Sequence, residues 1–303
     1  MPTIHSKKIK YWFGDFSGNL LLSFSLVTFR ILPQRGVVFM ARILGTMAFY
    51  LIKRYRDRVF YNLSSAFGGE KDSKELTKLA KEVFFNFTLT PLETIYMASV
   101  PFERFIKRIK IMGREYLDAA LAKGNGVIGL GSHLGSFTLL GTRLAVEGYP
   151  FNVIINEGNF PRLNRRLGDL QREVGQKPFP PKPATASVKK SLNCLRRNEI
   201  LYLIADERKR SGGIPVPFFG QTASTPPGPA IFSLKTGAPI LPMFVVREKG
   251  IPHTLFIGSP IGIERTSDEK KDTELLTAKF TKVIEESIRQ YPSQWPWLNR
   301  RWG

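Results

Sequence analysis

From Gly124 onward, short apolar runs alternate with longer amphipathic segments, and this alternation restricts the fold more than any other feature of the chain. Val127–Leu130, Val153–Ile155, Ile200–Ala205, Ile240–Val246 and Thr254–Ile257 are brief and rich in β-branched residues, which predicts strands. Phe137–Gly148, Arg162–Val174, Ala186–Arg197, Gly228–Thr236 and Asp272–Gln290 carry the intervening helical segments. Strands separated by helices pack into a sheet covered on both faces. The expected fold class is therefore α/β, a mixed central sheet flanked by helices. Lys177–Pro183 is rich in proline and reads as an irregular loop. Cys194, the one cysteine, falls in a helical pattern, which suits a core residue and excludes an internal disulfide.

The first part of the chain is different. Asn19–Leu32 and Gly36–Ile52 are apolar, the first too short to cross a bilayer and the second interrupted by Arg42. Lys7, Lys8 and Lys10 precede them, and Lys53, Arg54, Arg56 and Arg58 follow. Apolar faces bracketed by cations predict a helical membrane anchor lying on the bilayer, its charges meeting lipid headgroups. The expected division is an anchor over residues 1–60 and an α/β domain over 61–303. Residues 73–97 repeat apolar side chains at helical spacing, and 102–114 form a basic stretch, usually only a solvated face, that here adds to the cationic patch around the anchor. Formal net charge is +20, an excess that speaks of anionic partners rather than of the fold. Nucleic acid, anionic lipid and an acidic carrier protein are the candidates, and no nucleic-acid-binding motif supports the first.

The chemistry concentrates at Gly131-Ser132-His133-Leu134-Gly135, where a strand runs into a turn that opens a helix. Ligands of α/β sheets bind beyond the carboxyl ends of strands. A histidine there can take a proton from an attacking hydroxyl near neutral pH. Gly131 and Gly135 would turn the backbone sharply and let a ligand approach, and free N–H groups at the helix start could face an oxyanion. A rival reading takes Gly129, Gly131 and Gly135 as a loose dinucleotide loop with Glu157 as its ribose acid. Its glycine spacing is one residue too long, and it leaves the cationic anchor without a purpose.

These residues resemble the lipid A biosynthesis acyltransferases of the lysophospholipid acyltransferase superfamily. Arg58, Asn62, Leu63 and Phe67 resemble the family's N-terminal block, and Ser132–Gly148 its HxxxxE block. Asp206, Ile214–Gly220 and Thr225–Ala230 resemble its aspartate, VPFFG and TxxGPA blocks, and Trp297–Arg301 its closing WLHRRF. The resemblance implies transfer of an acyl group from acyl carrier protein or coenzyme A to a hydroxyl of an anionic glycolipid or lysolipid, without a metal or cofactor. It places the protein on the cytoplasmic face of the bacterial inner membrane. It makes His133 the general base, pairs Arg172 with Asp206, and sets Asn159 and Arg162 at the acceptor headgroup. Ser132, Gly135 and Arg208 are further substrate-contact candidates. Trp295, Trp297 and Trp302 beside Arg300 and Arg301 suggest an interfacial aromatic belt.

One position departs from the pattern. The family's acid falls five residues after the histidine, where this chain has Thr138. A carboxylate there would orient the imidazole and stabilise its protonated form; the Thr138 hydroxyl can accept that hydrogen bond but brings no charge, and Thr138 is on this ground a catalytic candidate beside His133. Three readings follow: another acid such as Glu157 reaches His133; the enzyme is slow or uses an unusual donor, as an aminoacyl transferase would; or the protein is a non-catalytic relative that binds lipid.

Overall fold

A computed structural model describes residues 23–101, 105–155, 161–248 and 253–302. After a helical stretch at residues 23–28, three long helices follow among the described residues: α1 (Gln34–Leu51), α2 (Lys53–Phe67) and α3 (Ser73–Ser99). An Asp72–Glu75 capping box starts α3, each side chain satisfying a backbone N–H of the other's turn. Val37, Ala41, Gly45 and Phe49 form the buried stripe of α1, which packs on α3. The approach is close at Gly45, where a Cβ would lie 2.9 Å from Phe85 Cα.

The opposite face of α1 is bare. Phe39, Ile43, Leu44, Met47, Tyr50 and Leu51 are exposed there, with Phe24, Val27 and Ile31 exposed just before the helix. Exposed apolar surface of this extent is uncommon on a helix that faces only water. No single helix among the described residues is long and apolar enough to cross a membrane; α1 and α2 together meet that test but are bent by 92°. Of the expected anchor stretch Asn19–Leu32, the first four residues lie outside the described residues.

The rest is a layered α/β unit. In chain order its elements are β1 (Lys110–Met112), α4 (Arg114–Leu121), β2 (Val127–Gly131), α5 (Phe137–Val146), β3 (Phe151–Ile154), α6 (Pro161–Glu173), β4 (Lys177–Phe179), α7 (Ala184–Arg196) and β5 (Ile200–Ile204). They continue with β6 (Ile214–Phe218), β7 (Gln221–Thr225), α8 (Gly228–Thr236), β8 (Ile240–Arg247), β9 (His253–Ile257) and α9 (Glu269–Gln290). The main sheet runs β1-β9-β8-β2-β5-β3-β4, and β6 and β7 form a separate antiparallel hairpin. Only the β8–β9 pair of the main sheet is antiparallel, so the sheet is mixed, as the sequence leads one to expect. Every residue of β2 is buried, the burial pattern of a central parallel strand covered on both faces. Cys194 lies in the core as expected, 1% exposed.

Two expectations are corrected. Lys177–Phe179 is not loop but the edge strand β4, where Pro178 is tolerated because edge strands need fewer ladder donors. In the described part of the basic stretch, Phe105, Ile106 and Ile109 are buried while Lys107 and Arg108 face out, so its cations stay at the surface on an amphipathic segment. Trp295, Trp297 and Trp302 are 2%, 0% and 8% exposed. They pack edge-on against Phe67, Phe218 and Phe219 as a cap over the core, not as a belt.

Candidate active site

Strand register builds the site. β2 and β5 are parallel neighbours, with Gly131 opposite Ile204. Two residues beyond each strand end stand His133 and Asp206, so adjacent strands deliver the two side chains to one place at the carboxyl edge of the sheet. His133 Nδ1 lies 2.9 Å from Asp206 Oδ1, and the His133 backbone N–H donates to Asp206 Oδ2 at 2.9 Å. Trp295 Nε1 donates to the same Oδ2 at 2.7 Å. Asp206 is buried and its carboxylate is thus held by three donors.

The turn itself is pinned. Gly135 has φ +62°, and a Cβ there would fall 2.1 Å from Val245 O. Its N–H donates to Gln294 O, and the Ser136 N–H donates to Val245 O. Thr90 Oγ1 of α3 donates to Gly135 O. Behind the turn lies a buried polar cluster. Arg247 donates to both Glu93 and Thr90, Ser136 Oγ donates to Glu93 Oε2 at 2.9 Å, and His253 Nε2 stands 3.3 Å from Glu93. Burial works against the Glu93 charge, but Arg247 and His253 outweigh it and hold the carboxyl down at about 2. None of this cluster was foreseen from the sequence, because its members are far apart in the chain and carry no common spacing.

The glycines serve packing rather than a ligand. Cβ atoms at Gly129 and Gly131 would meet Tyr202, at 3.0 Å from Cδ2 and 2.0 Å from Oη respectively. Protein atoms therefore fill the space that a dinucleotide loop keeps open for phosphate, and the dinucleotide reading fails on that ground.

His133 lines a groove of about 430 Å³ with Phe87 and Pro91 of α3, Phe137, Glu207 and the segment from Gln294 to Asn299. Its Nε2 stands 4.0 Å from Glu207 Oε1. Burial disfavours the charged ring, yet the charge and hydrogen bond of Asp206, aided by Glu207, prevail and push the imidazole up to about 9. The Asp206 carboxyl moves the other way: burial opposes ionisation, and His133 and Trp295 bring it below its ordinary value. A smaller, mainly apolar cavity of about 220 Å³ lies beyond, lined by Ile95, Met97, Ala98, Leu170 and Val174. Thr138 lines both spaces.

Two expected pairings are corrected here. Thr138 does not orient the imidazole; its hydroxyl is 2.6 Å from Thr94 Oγ1, and the nitrogen it would have held is on Asp206. Arg172 does not pair with Asp206; it donates to Asp169 at 2.6 Å on the exposed side of α6, one helical turn away. Ser132 is buried with a hydroxyl that has no partner among the described residues, and Arg208 is exposed beside Glu207. Asn159, Glu157 and the side chain of Arg162 lie outside the described residues.

Residues 4–303 match the family of bacterial lipid A biosynthesis acyltransferases. The chain belongs to that family. It is 26% identical over 200 residues to a phosphatidylinositol mannoside acyltransferase of Mycobacterium tuberculosis, an overlap of 63% of this chain and 59% of that relative. It is 24% identical over 273 residues to the lipid A biosynthesis palmitoleoyltransferase of Escherichia coli K12, covering 89% of this chain and 86% of the relative. With the lipid A biosynthesis lauroyltransferase of the same organism it shares 24% over 270 residues, 85% and 82% of the two chains. The blocks by which the sequence resembles the lipid A acyltransferase family meet in space. Asn62 Nδ2 donates to Trp297 O and Asn299 O, and Arg58 donates to Leu298 O, so the N-terminal block grips the closing one. Arg301, in turn, donates to Ser224 O and Thr225 Oγ1 of β7.

Proposed function

We propose that the protein is an acyltransferase that moves an acyl group from a thioester donor to a hydroxyl of a membrane glycolipid, with His133 as general base. The observation that carries this reading is the His133–Asp206 pair at the end of β2, its Nε2 on the groove side and an apolar cavity close by. The acceptor hydroxyl gives its proton to Nε2 while its oxygen attacks the thioester carbonyl. The tetrahedral intermediate then expels the thiol, which takes the proton back from the ring. Asp206 fixes the tautomer that leaves Nε2 basic and stabilises the imidazolium. That role is the one the sequence pattern assigns to the acid at position 138, so Thr138 is no bar to catalysis, and the lipid-binding relative without activity is the weaker reading.

A glycolipid acceptor is supported by the relatives, which are named as acyltransferases of phosphatidylinositol mannoside and of lipid A biosynthesis. The bare face of α1 and the cations that open α2 support docking at an anionic membrane surface, on the side where the thioester donors are made. Acyl carrier protein and coenzyme A are both suitable donors. Residues 1–60 would serve the docking, and 61–303 the chemistry.

The test is acylation of a detergent-solubilised glycolipid acceptor by purified protein with a palmitoyl or lauroyl thioester, followed by mass spectrometry. One acyl mass should be added, and His133→Ala should lower the rate by roughly 10² or more. A His133→Ala protein that folds and still turns over at the wild-type rate overturns the assignment of the base.

A further inference from the structure

The turn that carries His133 is tied down beyond the ring by Gly135 and Ser136, and each tie leads to Arg247 or its strand. The Gly135 N–H donates to Gln294 O, and the Gln294 side chain grips Arg247 twice, accepting from its backbone N–H at 2.9 Å and donating to its carbonyl at 2.7 Å. Gly135 O accepts from the Thr90 hydroxyl, which itself accepts from the Arg247 guanidinium at 2.7 Å. The Ser136 N–H donates to Val245 O, two residues before Arg247 on β8. The Ser136 hydroxyl donates to Glu93 Oε2, and Arg247 gives the same oxygen two more N–H groups, at 2.8 and 2.6 Å. Asn86 accepts from the remaining arm of the guanidinium at 3.2 Å, and His253 Nε2 stands 3.1 Å from the Ser136 oxygen. Glu93, Ser136, Arg247 and His253 are all buried. An ion pair at such depth seldom stabilises a fold more than apolar side chains of the same volume would. What a planar guanidinium adds is direction, because its donors hold their acceptors in one geometry. The turn needs that restraint, since Gly135 at φ +62° gives it little stiffness of its own.

We propose that Arg247 and Glu93 are positioning residues that clamp this turn so that the His133 ring stays against Asp206. The inference rests on the reading of His133 as general base for its kinetics, not for the placement of the ring. Among the described residues, neither side chain lines the groove, so their effect on the reaction passes through the turn. Misplacing a reacting group by about 1 Å can cost roughly 10² in rate, which is the scale of effect a loosened clamp can have.

Two measurements on the full chain decide it, with two test variants and a control. Ser136→Ala cuts the side-chain tether and leaves the ion pair; Glu93→Gln/Arg247→Met removes both charges together, so that neither is left buried without its partner. The control is Glu199→Gln, a buried carboxylate held by Lys177, Arg197 and Asn152 just before β5 begins, at the far end of that strand from Asp206. In the first measurement, acylation of a detergent-solubilised glycolipid by palmitoyl-coenzyme A is followed against pH. The pH-independent kcat should fall roughly tenfold or more in both test variants, with KM for the thioester within about twofold of wild type, and the control should keep both. The second needs no turnover: the chain has three histidines, and in protein with labelled histidine the signal missing from His133→Ala assigns the ring. That ring, held at about 9 beside Asp206, should titrate at least roughly one unit lower in both test variants and unchanged in the control. A folded test variant with wild-type ring titration, or with a pH-independent kcat within about twofold of wild type, overturns the proposal. An equal loss of kcat in the control overturns it too, since any buried carboxylate would then serve. A shifted ring in the test variants, with no turnover in any protein including wild type, would sink the acyltransferase reading and leave the clamp standing.

Discussion

Asp206→Asn keeps the shape of the carboxyl and removes its charge, and its consequences can be worked from the site. The His133 ring stands at about 9 against an ordinary 6.5, a gap equivalent to about 3 kcal/mol in favour of the imidazolium. Burial acts against the charged ring, so without the aspartate the ring should titrate below 6.5. Two measurements then change together. In the wild type the ring is raised above its unfolded value, so its stabilising contribution is complete below about pH 6.5 and is lost as pH climbs through 9. The stability gap between wild type and Asp206→Asn, read from urea melts, should narrow by about 3 kcal/mol between pH 6 and pH 10. In the acylation assay, wild-type rate should rise with pH until about 9, since Nε2 must be free to accept a proton. The variant should lose that limb to a point below 6.5 and reach a plateau lower by roughly 10² to 10⁴. An Asp206→Asn enzyme with a wild-type pH profile and a rate within about twofold would refute the claim that Asp206 acts through the ring.

Three further outcomes are expected. Trp295→Phe removes the indole N–H that donates to Asp206 and should cost about 1.5–3 kcal/mol in thermal or urea unfolding, with a lower kcat. Gly135→Ala sets a Cβ 2.1 Å from Val245 O at φ +62° and should destabilise the fold by at least about 3 kcal/mol, measured by melting temperature. Phe39→Ser combined with Met47→Ser strips two exposed apolar groups from α1 and should reduce partitioning onto anionic vesicles at least roughly tenfold, with unchanged melting.

Five of the seven strands of the central sheet were legible because buried central strands write themselves as short continuous apolar runs, as in Val127–Leu130 and Ile240–Val246, whereas the three-residue edge strands β1 and β4 were missed. The hairpin of β6 and β7 was not assigned from pattern alone, since Pro215 and Pro217 mask its first strand. His133 was legible from its place on a glycine turn after a strand. Asp206 was picked out, but with the wrong partner. Which residue faces which across two strands depends on their register, and Gly131 opposite Ile204 is a long-range fact with no local signature. Arg172 had an acid three residues away on its own helix, and that local rule was the better guide. The tryptophans misled because a ring near arginines looks the same in a membrane belt and in a core cap. Only packing against Phe218 and Phe219 separates the two.

The clasp of Arg58 and Asn62 on residues 297–299, with Trp295 reaching Asp206, makes the reactive centre a product of distant segments. Contacts between such remote stretches form late when a chain folds, because the entropy of closing a long loop must be met before they contribute. An organised imidazole is thus among the last features to appear, and a half-folded molecule, though able to expose its greasy first helix to lipid, would dock without reacting.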